Sequence, residues 1–230
     1  MLVSGVQLPS EPFLNMGQIE IAIQILEDYY KNRERTTLNS MRGIEDPFKI
    51  LISCLISLRV KDEITDKIVE ELFKHISSPE EIINMSLAKL EKIIFSSGYY
   101  KVKAKTLKHV SHEIKERFHN KVPETKEELL SIKGIGPKTA NVVLNFAFNK
   151  EVIPVDVNVH RISNRLGWVK EKTAEKTEKS LELVLPRKYW KEINALFILH
   201  GKTICLPISP YCSKCPVNML CPKIGVKKSR

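Results

Sequence analysis

Four cysteines fall within seventeen residues of this 230-residue chain: Cys205, Cys212, Cys215 and Cys221, in the spacing C-x6-C-x2-C-x5-C. Thiolates this close together can hold a metal centre in a tetrahedral array. Zinc ribbons use two C-x2-C knuckles, and only one such pair exists here. The wider arms suit a bulkier cube, so the spacing favours a [4Fe–4S] cluster, with structural zinc as the rival. Two disulfides would require an oxidising compartment, of which nothing in the chain is a sign. Cys54 stands apart in an apolar stretch and reads as an inert core residue. Lys202, Lys214, Lys223, Lys227 and Lys228 lie among and around the four cysteines. A loop tied down by a metal group would present them on a rigid, phosphate-facing surface; taken singly, each is ordinary surface charge.

A second constellation is Ser131-Ile-Lys-Gly-Ile-Gly-Pro-Lys-Thr-Ala140. Gly134 and Gly136 permit positive φ and close backbone approach. Pro137 at the first helical position leaves free N–H groups at the start of the helix it opens, and with the positive end of the dipole these form a phosphate site. This is the pattern of a helix-hairpin-helix, which grips DNA backbone without reading sequence; the plain alternative is a tight helix–helix corner. Lys138 lies in the first turn of the second helix, where the dipole and partial burial both favour the neutral, nucleophilic amine. If that helix runs to about Asn149, its end lies ~17 Å beyond Lys138 at 1.5 Å per residue. Residues 150–156, nearly extended, span up to ~23 Å. The chain can therefore fold back and set Asp156 beside Lys138, with Pro154 stiffening the approach. A carboxylate there can take the proton of an amine and stabilise positive charge on a reacting sugar. Asp156 can equally serve as the N-cap of a helix from 157, and the two roles are compatible.

The elements that must position these groups are helical, and the class is all-α. Residues 18–31 place Ile19, Ile23, Leu26 and Tyr30 on one face. Asp46 and Pro47 open a helix from Phe48 to Leu58 that is apolar nearly all round and belongs in the middle of a core. Asp62 caps a helix carrying Ile64, Ile68, Val69, Leu72 and Phe73 inward. Ser86 caps another, stopped at Gly98. Residues 101–119 form the next, and Thr125 with Glu128 makes a capping box before a short helix. Further helices are expected near 157–166, 174–185 and 187–200. The alternation Val155-Asp-Val-Asn-Val159 has no partner strands and reads as a connection into a helix. Residues 223–230 read as a frayed basic tail.

With 37 Lys plus Arg against 27 Asp plus Glu, the net charge is +10, which favours a polyanionic partner. A hydrophobic fraction of 43% excludes a disordered chain. No stretch approaches the ~18 apolar residues of a membrane span. The first 30 residues contain no Lys or Arg, so no targeting leader is expected and a cytoplasmic, nucleoid-associated protein is.

The hairpin with Lys138, Asp156 eighteen residues later followed by Arg161, and the cysteine loop preceded by Leu199-His200-Gly201 occur in the order found in the endonuclease III family of helix-hairpin-helix DNA glycosylases. The chain resembles that family over roughly residues 17–222. The resemblance implies two all-α lobes: a six-helix barrel over 40–150, and an iron–sulfur lobe built from 1–39 and 151–230. It implies Lys138 as the attacking amine, forming a Schiff base that permits strand cleavage by β-elimination. Asp156 would be the essential aspartate, and Asp62 would match the acidic residue starting the family's third helix. It also implies a [4Fe–4S] cluster on Cys205, Cys212, Cys215 and Cys221. The implied partner is double-stranded DNA with a damaged base or abasic site, bound by a monomer, with the lesion, an oxidised pyrimidine, flipped out of the stack. DNA contacts are expected from Leu58, Arg59, Lys133, Gly134, Gly136, Thr139, Asn158, Arg161 and Lys214. Two positions depart from the family pattern. Ser57-Leu58-Arg59 stands where a glutamine usually fills the gap left by the flipped base, so Leu58 would act as an apolar wedge. Asn158 replaces a histidine, a choice similar to adenine-specific mismatch glycosylases, which lack the lysine. A mismatch- or uracil-type glycosylase and a non-catalytic iron–sulfur DNA-binding module are the alternatives.

Overall fold

Caps and apolar stripes set the helices of the computed structural model, which describes residues 16–31 and 46–230. Helix α1 (Met16–Tyr30) buries Ile19, Ala22, Ile23, Leu26 and Tyr30 along one side. Helix α2 (Pro47–Ser57) starts where Asp46 Oδ1 accepts the Phe48 N–H at 2.9 Å and the Lys49 N–H at 3.4 Å. There follow α3 (Asp62–Phe73), α4 (Pro79–Asn84), α5 (Leu87–Ile93), α6 (Tyr100–Phe118), α7 (Lys126–Ser131), α8 (Pro137–Phe148), α9 (Val157–Arg165), α10 (Ala174–Val184) and α11 (Ile193–Thr203). No strand forms among the described residues, and none of their helices is long and apolar enough to cross a membrane.

Two apolar cores result. The first is built on α2 packed against α8, and gathers Ile50, Leu51, Ile52 and Ile56 with Leu90, Leu107 and Val143. The second joins α1 to α9 and α11 through Ile19, Ile23, Leu26, Ile162, Trp168 and Phe197. Helix α11 is shared, with Ile198 in the first core and its neighbour Phe197 in the second. The expected domain boundary near residue 40 lies outside the described residues.

Four features differ from what the sequence suggests. Helix α3 begins at Asp62, with Lys61 rather than Asp62 in the capping position. Helix α4 was not expected, being too short to show a periodic stripe. Its signal was the capping box Ser78-Pro-Glu-Glu81, in which the Ser78 hydroxyl and the Glu81 side chain each accept the other's backbone N–H. The expected helix 187–200 is broken: Arg187–Tyr189 is a 3-10 turn and α11 starts at Ile193. The Trp190 indole N–H turns back to the Leu185 carbonyl at 2.8 Å, closing the end of α10 instead of extending a helix. The C-terminal tail is docked rather than frayed. Ile224 N–H bonds Arg165 O at 3.1 Å, Arg230 N–H bonds Pro210 O at 2.8 Å, and the Arg230 guanidinium sits 4.1 Å over the Tyr211 ring.

Leu51, fully buried where α2 crosses the first core, should be costly to truncate. Leu51→Ala is expected to lose about 2–5 kcal/mol, read as a lower urea midpoint at unchanged slope. Leu183→Ala, at a side chain 66% exposed, should stay within about 0.5 kcal/mol of the parent.

Candidate active site

Helices α7 and α8 meet through residues 132–136. Gly134 sits at φ +105°, and a Cβ there would lie 2.7 Å from Thr106 Cγ2 of α6, so both conformation and packing demand a glycine. Gly136 departs from expectation, because its φ is an ordinary −96°. A Cβ on it would meet nothing within 4 Å, so nothing inside the protein requires its bareness. The first bond of the α8 ladder runs from Ala140 N–H to Gly136 O at 2.9 Å, which leaves the Lys138 and Thr139 N–H groups ahead of it. Lys133, Gly134 and Gly136 are exposed. Thr139 is not: it falls on the inner side of α8 at 3% exposure, so its side chain cannot serve the DNA contact expected of it.

The chain between α8 and α9 is held carbonyl by carbonyl. Asn145 Nδ2 donates to Val152 O at 3.4 Å, Asn141 Nδ2 to Ile153 O at 3.0 Å, and Asn194 Nδ2 to Pro154 O at 2.7 Å. The Glu178 carboxylate on α10 is buried, and accepts from Asn141 Nδ2 at 2.8 Å and from the Lys126 ammonium of α7. Its buried charge is thereby paired.

This segment delivers Asp156 to a cleft of about 660 Å³ that Lys138 also lines, together with Leu58, Arg59, Asn158, His160 and Lys202. Asp156 caps α9: its Oδ1 accepts the N–H groups of Asn158 and Val159 at 2.8 and 2.9 Å, and its Oδ2 accepts Asn158 Nδ2 at 3.1 Å. Three donors thus fix the carboxylate. Lys138, in the first turn of α8, is half-buried and lines the same cleft. Leu58, 40% exposed, and Arg59, with a φ of +59°, form an exposed turn on the same cleft. Cys54, behind them in α2, is inert: burial pushes its thiol up to about 11, against the opposing pull of the Lys138 charge.

Asp156 is also tied to the cysteine loop. Arg161 Nη2 donates to Asn158 Oδ1 at 2.9 Å, and Arg161 Nε and Nη2 donate to Cys205 O at 3.2 and 3.0 Å. Arg161 itself is only partly buried, so these bonds orient its guanidinium within the protein. Gly201 makes this possible, because a Cβ there would collide with Asn158 Oδ1 and lie 2.7 Å from Arg161 Nη2.

Cys205, Cys212, Cys215 and Cys221 line one cavity with His200, Val217 and Val226, and all four are free thiols. Among the described residues no group of three or more His, Cys, Asp or Glu is arranged to hold a single metal ion. Burial pushes the Cys215 thiol up to about 11, and the other three sulfurs add to the effect; Cys221 is raised for the same reasons. Sulfurs crowded this way need positive charge between them before all can ionise, which fits a thiolate-held metal group. His200, 2% exposed, is held neutral by burial, down to about 4. The Tyr30 hydroxyl lies 3.0 Å from His200 Nδ1, and His200 Nε2 lies 3.7 Å from Cys215 Sγ. Lys214 is exposed, its ammonium 5.7 Å over the Tyr211 ring.

Sequence reasoning missed Asn141, Asn145, Asn194, Glu178, Lys126 and the Tyr30–His200 pair. Only His200, in the Leu-His-Gly step before the cysteines, carried a local signal.

Residues 52–187 match the HhH-GPD superfamily base excision DNA repair protein family. The chain is 39% identical to endonuclease III of Thermotoga maritima over 202 residues, which is 88% of this chain and 91% of that one. The chain belongs to the HhH-GPD superfamily. A trapped endonuclease III–DNA covalent intermediate shares the fold of this HhH-GPD chain at a TM-score of 0.80 and 29% identity, covering 91% of this chain and 97% of the other. A thermostable thymine-DNA glycosylase shares the fold at a TM-score of 0.77 and 24% identity, over 90% of this chain and 95% of its own.

In an HhH-GPD helix free of other demands, replacing a mid-helix glycine by alanine stabilises by about 1 kcal/mol. At Gly201 the sign should reverse. Gly201→Ala is expected to cost about 1–3 kcal/mol through overpacking against Asn158 and Arg161. A urea midpoint that rises instead would show that the Asn158–Arg161 pair is not confined as described.

Proposed function

We propose that this protein is a bifunctional DNA glycosylase and AP lyase. It would remove oxidised pyrimidines from duplex DNA and cut 3′ to the resulting abasic site. The observation that carries the proposal is the shared cleft of Lys138 and Asp156 at the mouth of a hairpin with unbonded amides. Related endonuclease III chains and their DNA complexes support it.

The hairpin amides, with bare Gly136 and the Lys133 ammonium, take a DNA phosphate at the positive end of the α8 dipole. Leu58 enters the stack as the damaged nucleotide leaves it, filling by shape the space of the lost base. In the cleft Asp156 accepts a proton from the Lys138 ammonium. The freed amine lone pair attacks C1′ of the sugar, and the C1′–N bond breaks with its electron pair leaving on the base, which takes up a proton. The sugar ring opens to a C1′=N imine on Lys138. Loss of a C2′ proton then expels the 3′ phosphate, and water returns the amine. Once Asp156 has passed that proton to the departing base, its carboxylate, held in place by the α9 amides, faces the positive charge on the sugar.

We infer further that Cys205, Cys212, Cys215 and Cys221 hold a [4Fe–4S] cluster. The C-x6-C-x2-C-x5-C spacing, the single cavity that the four cysteines line and the endonuclease III relatives support it. When bound, the cluster supplies the positive charge that the four sulfurs lack and staples residues 205–221. Lys214 and Lys202 then face the DNA from a fixed loop and the cleft wall.

Borohydride trapping tests the lyase step. A covalent adduct should form on duplex carrying dihydrouracil or thymine glycol and vanish in Lys138→Ala. Base release without any adduct, above all from G·T or G·U mispairs, would favour a mismatch glycosylase, and DNA binding with neither would leave a non-catalytic module. Iron and acid-labile sulfide should be present at about four each per chain. One zinc with no iron would overturn the cluster.

A further inference from the structure

One ammonium holds the roots of two exposed turns. Lys103, in the first turn of α6, donates to Ile56 O and to Ser97 O, each at 2.8 Å. Ile56 lies in the last turn of α2, where carbonyls have no partner within the helix, and two residues later the chain turns out through Leu58 and Arg59. Lys103 therefore caps α2 from a different helix, with its charge at the negative end of the α2 dipole. Ser97 closes the 3-10 turn Phe95–Ser97. Immediately after it come Gly98 at φ +60° and Tyr99 at φ +48°, whose ring is 71% exposed. Left-handed conformations at Arg59 and Tyr99 are strained for residues with a side chain and persist only where the surroundings impose them. The shared nitrogen supplies that restraint on both sides.

Placing an ammonium here carries a cost as well as these bonds. No carboxylate pairs with Lys103 among the described residues, and burial pulls its ammonium down to about 8. An apolar residue would avoid that desolvation but would leave the Ile56 and Ser97 carbonyls without this donor. What only a long donor can do is hold two carbonyls of separate elements at one point.

Resting on the glycosylase reading above, we propose that Lys103 is a positioning residue for base extrusion: it presets the Leu58 turn, together with the neighbouring Tyr99 turn, in the form that enters the DNA stack. It takes no part in the chemistry at Lys138.

The test uses the full chain with its metal group and compares two substrates under single-turnover conditions. One is duplex with a paired dihydrouracil, where a base pair must be opened. The other is the same duplex carrying a preformed abasic site, where no base remains to extrude. Lys103→Met should slow base release at least about tenfold, the scale of one or two kcal/mol of unstacking, while nicking of the abasic site changes less than about threefold. Fluorescence of 2-aminopurine opposite the lesion should rise more slowly in the variant. Lys103→Arg, whose guanidinium can reach both carbonyls, should restore extrusion. Equal losses on both substrates would show a merely structural role and overturn the proposal, as would undiminished base release. If Lys103→Met does not fold, Lys103→Gln decides by the same ratio, since it keeps one donor. A parent protein that neither releases base nor nicks would mark failure of the glycosylase reading itself.

Discussion

The site depends on a short piece of extended chain having no freedom to move. Asp156 faces the Lys138 cleft because Val152, Ile153 and Pro154 each give their carbonyl to an asparagine on α8 or α11. Buried carbonyls must be satisfied somewhere, and in this segment no neighbouring strand is present to do it. The asparagines supply what a sheet would otherwise supply, and since two of them lie on α8 itself, the helix carrying Lys138 also holds the segment carrying Asp156. The amine and the carboxylate are thereby referred to one rigid body, which is what acid–base work at a sugar carbon needs.

Much of this was legible in the chain, for reasons that can be named. The hairpin announces itself because Gly134 and Pro137 are punctuation with fixed backbone meaning, and the return of Asp156 follows from helix rise and chain reach alone. The apolar α2 could only be central. Other features were hidden because they depend on partners far away in sequence. The bond from Arg161 to the Cys205 carbonyl was hidden because its partner lies 44 residues on. Asn141 and Asn194 carried no signal, since nothing local reveals that a carbonyl waits opposite them. The tail was misjudged from its lysines, when Val226 in the cysteine cavity and Arg230 stacked on Tyr211 were what decided its course. Gly136 was assigned the backbone freedom that Gly134 alone uses.

The cysteine loop is joined to the cleft rather than appended to it. One path runs Asp156–Asn158–Arg161–Cys205, through side-chain and carbonyl bonds of 2.9–3.2 Å. Arg165, one turn later, donates to Leu206 O at 2.6 Å and Pro207 O at 2.7 Å. Two arginines on one helix thus anchor the start of the loop to the element that Asp156 caps.

The two sides of the cleft divide the work differently. On the chemical side Asp156, Asn158 and Arg161 are held by hydrogen bonds to backbone or to one another. On the side proposed to meet DNA, Leu58 at the cleft and the exposed Tyr99 of the neighbouring turn are side chains that would fill space but say little about which base stands opposite. A glutamine at the gap could pair with the orphaned base and stabilise extrusion more for one partner than another; an isobutyl group stabilises it nearly equally for all. Selectivity must then come from how easily the lesion leaves the stack and from what the 660 Å³ cleft accepts once it has left. Under the proposed reading, oxidised pyrimidines that have lost ring planarity stack poorly and would be favoured at the first of those steps before any cleft residue touches them.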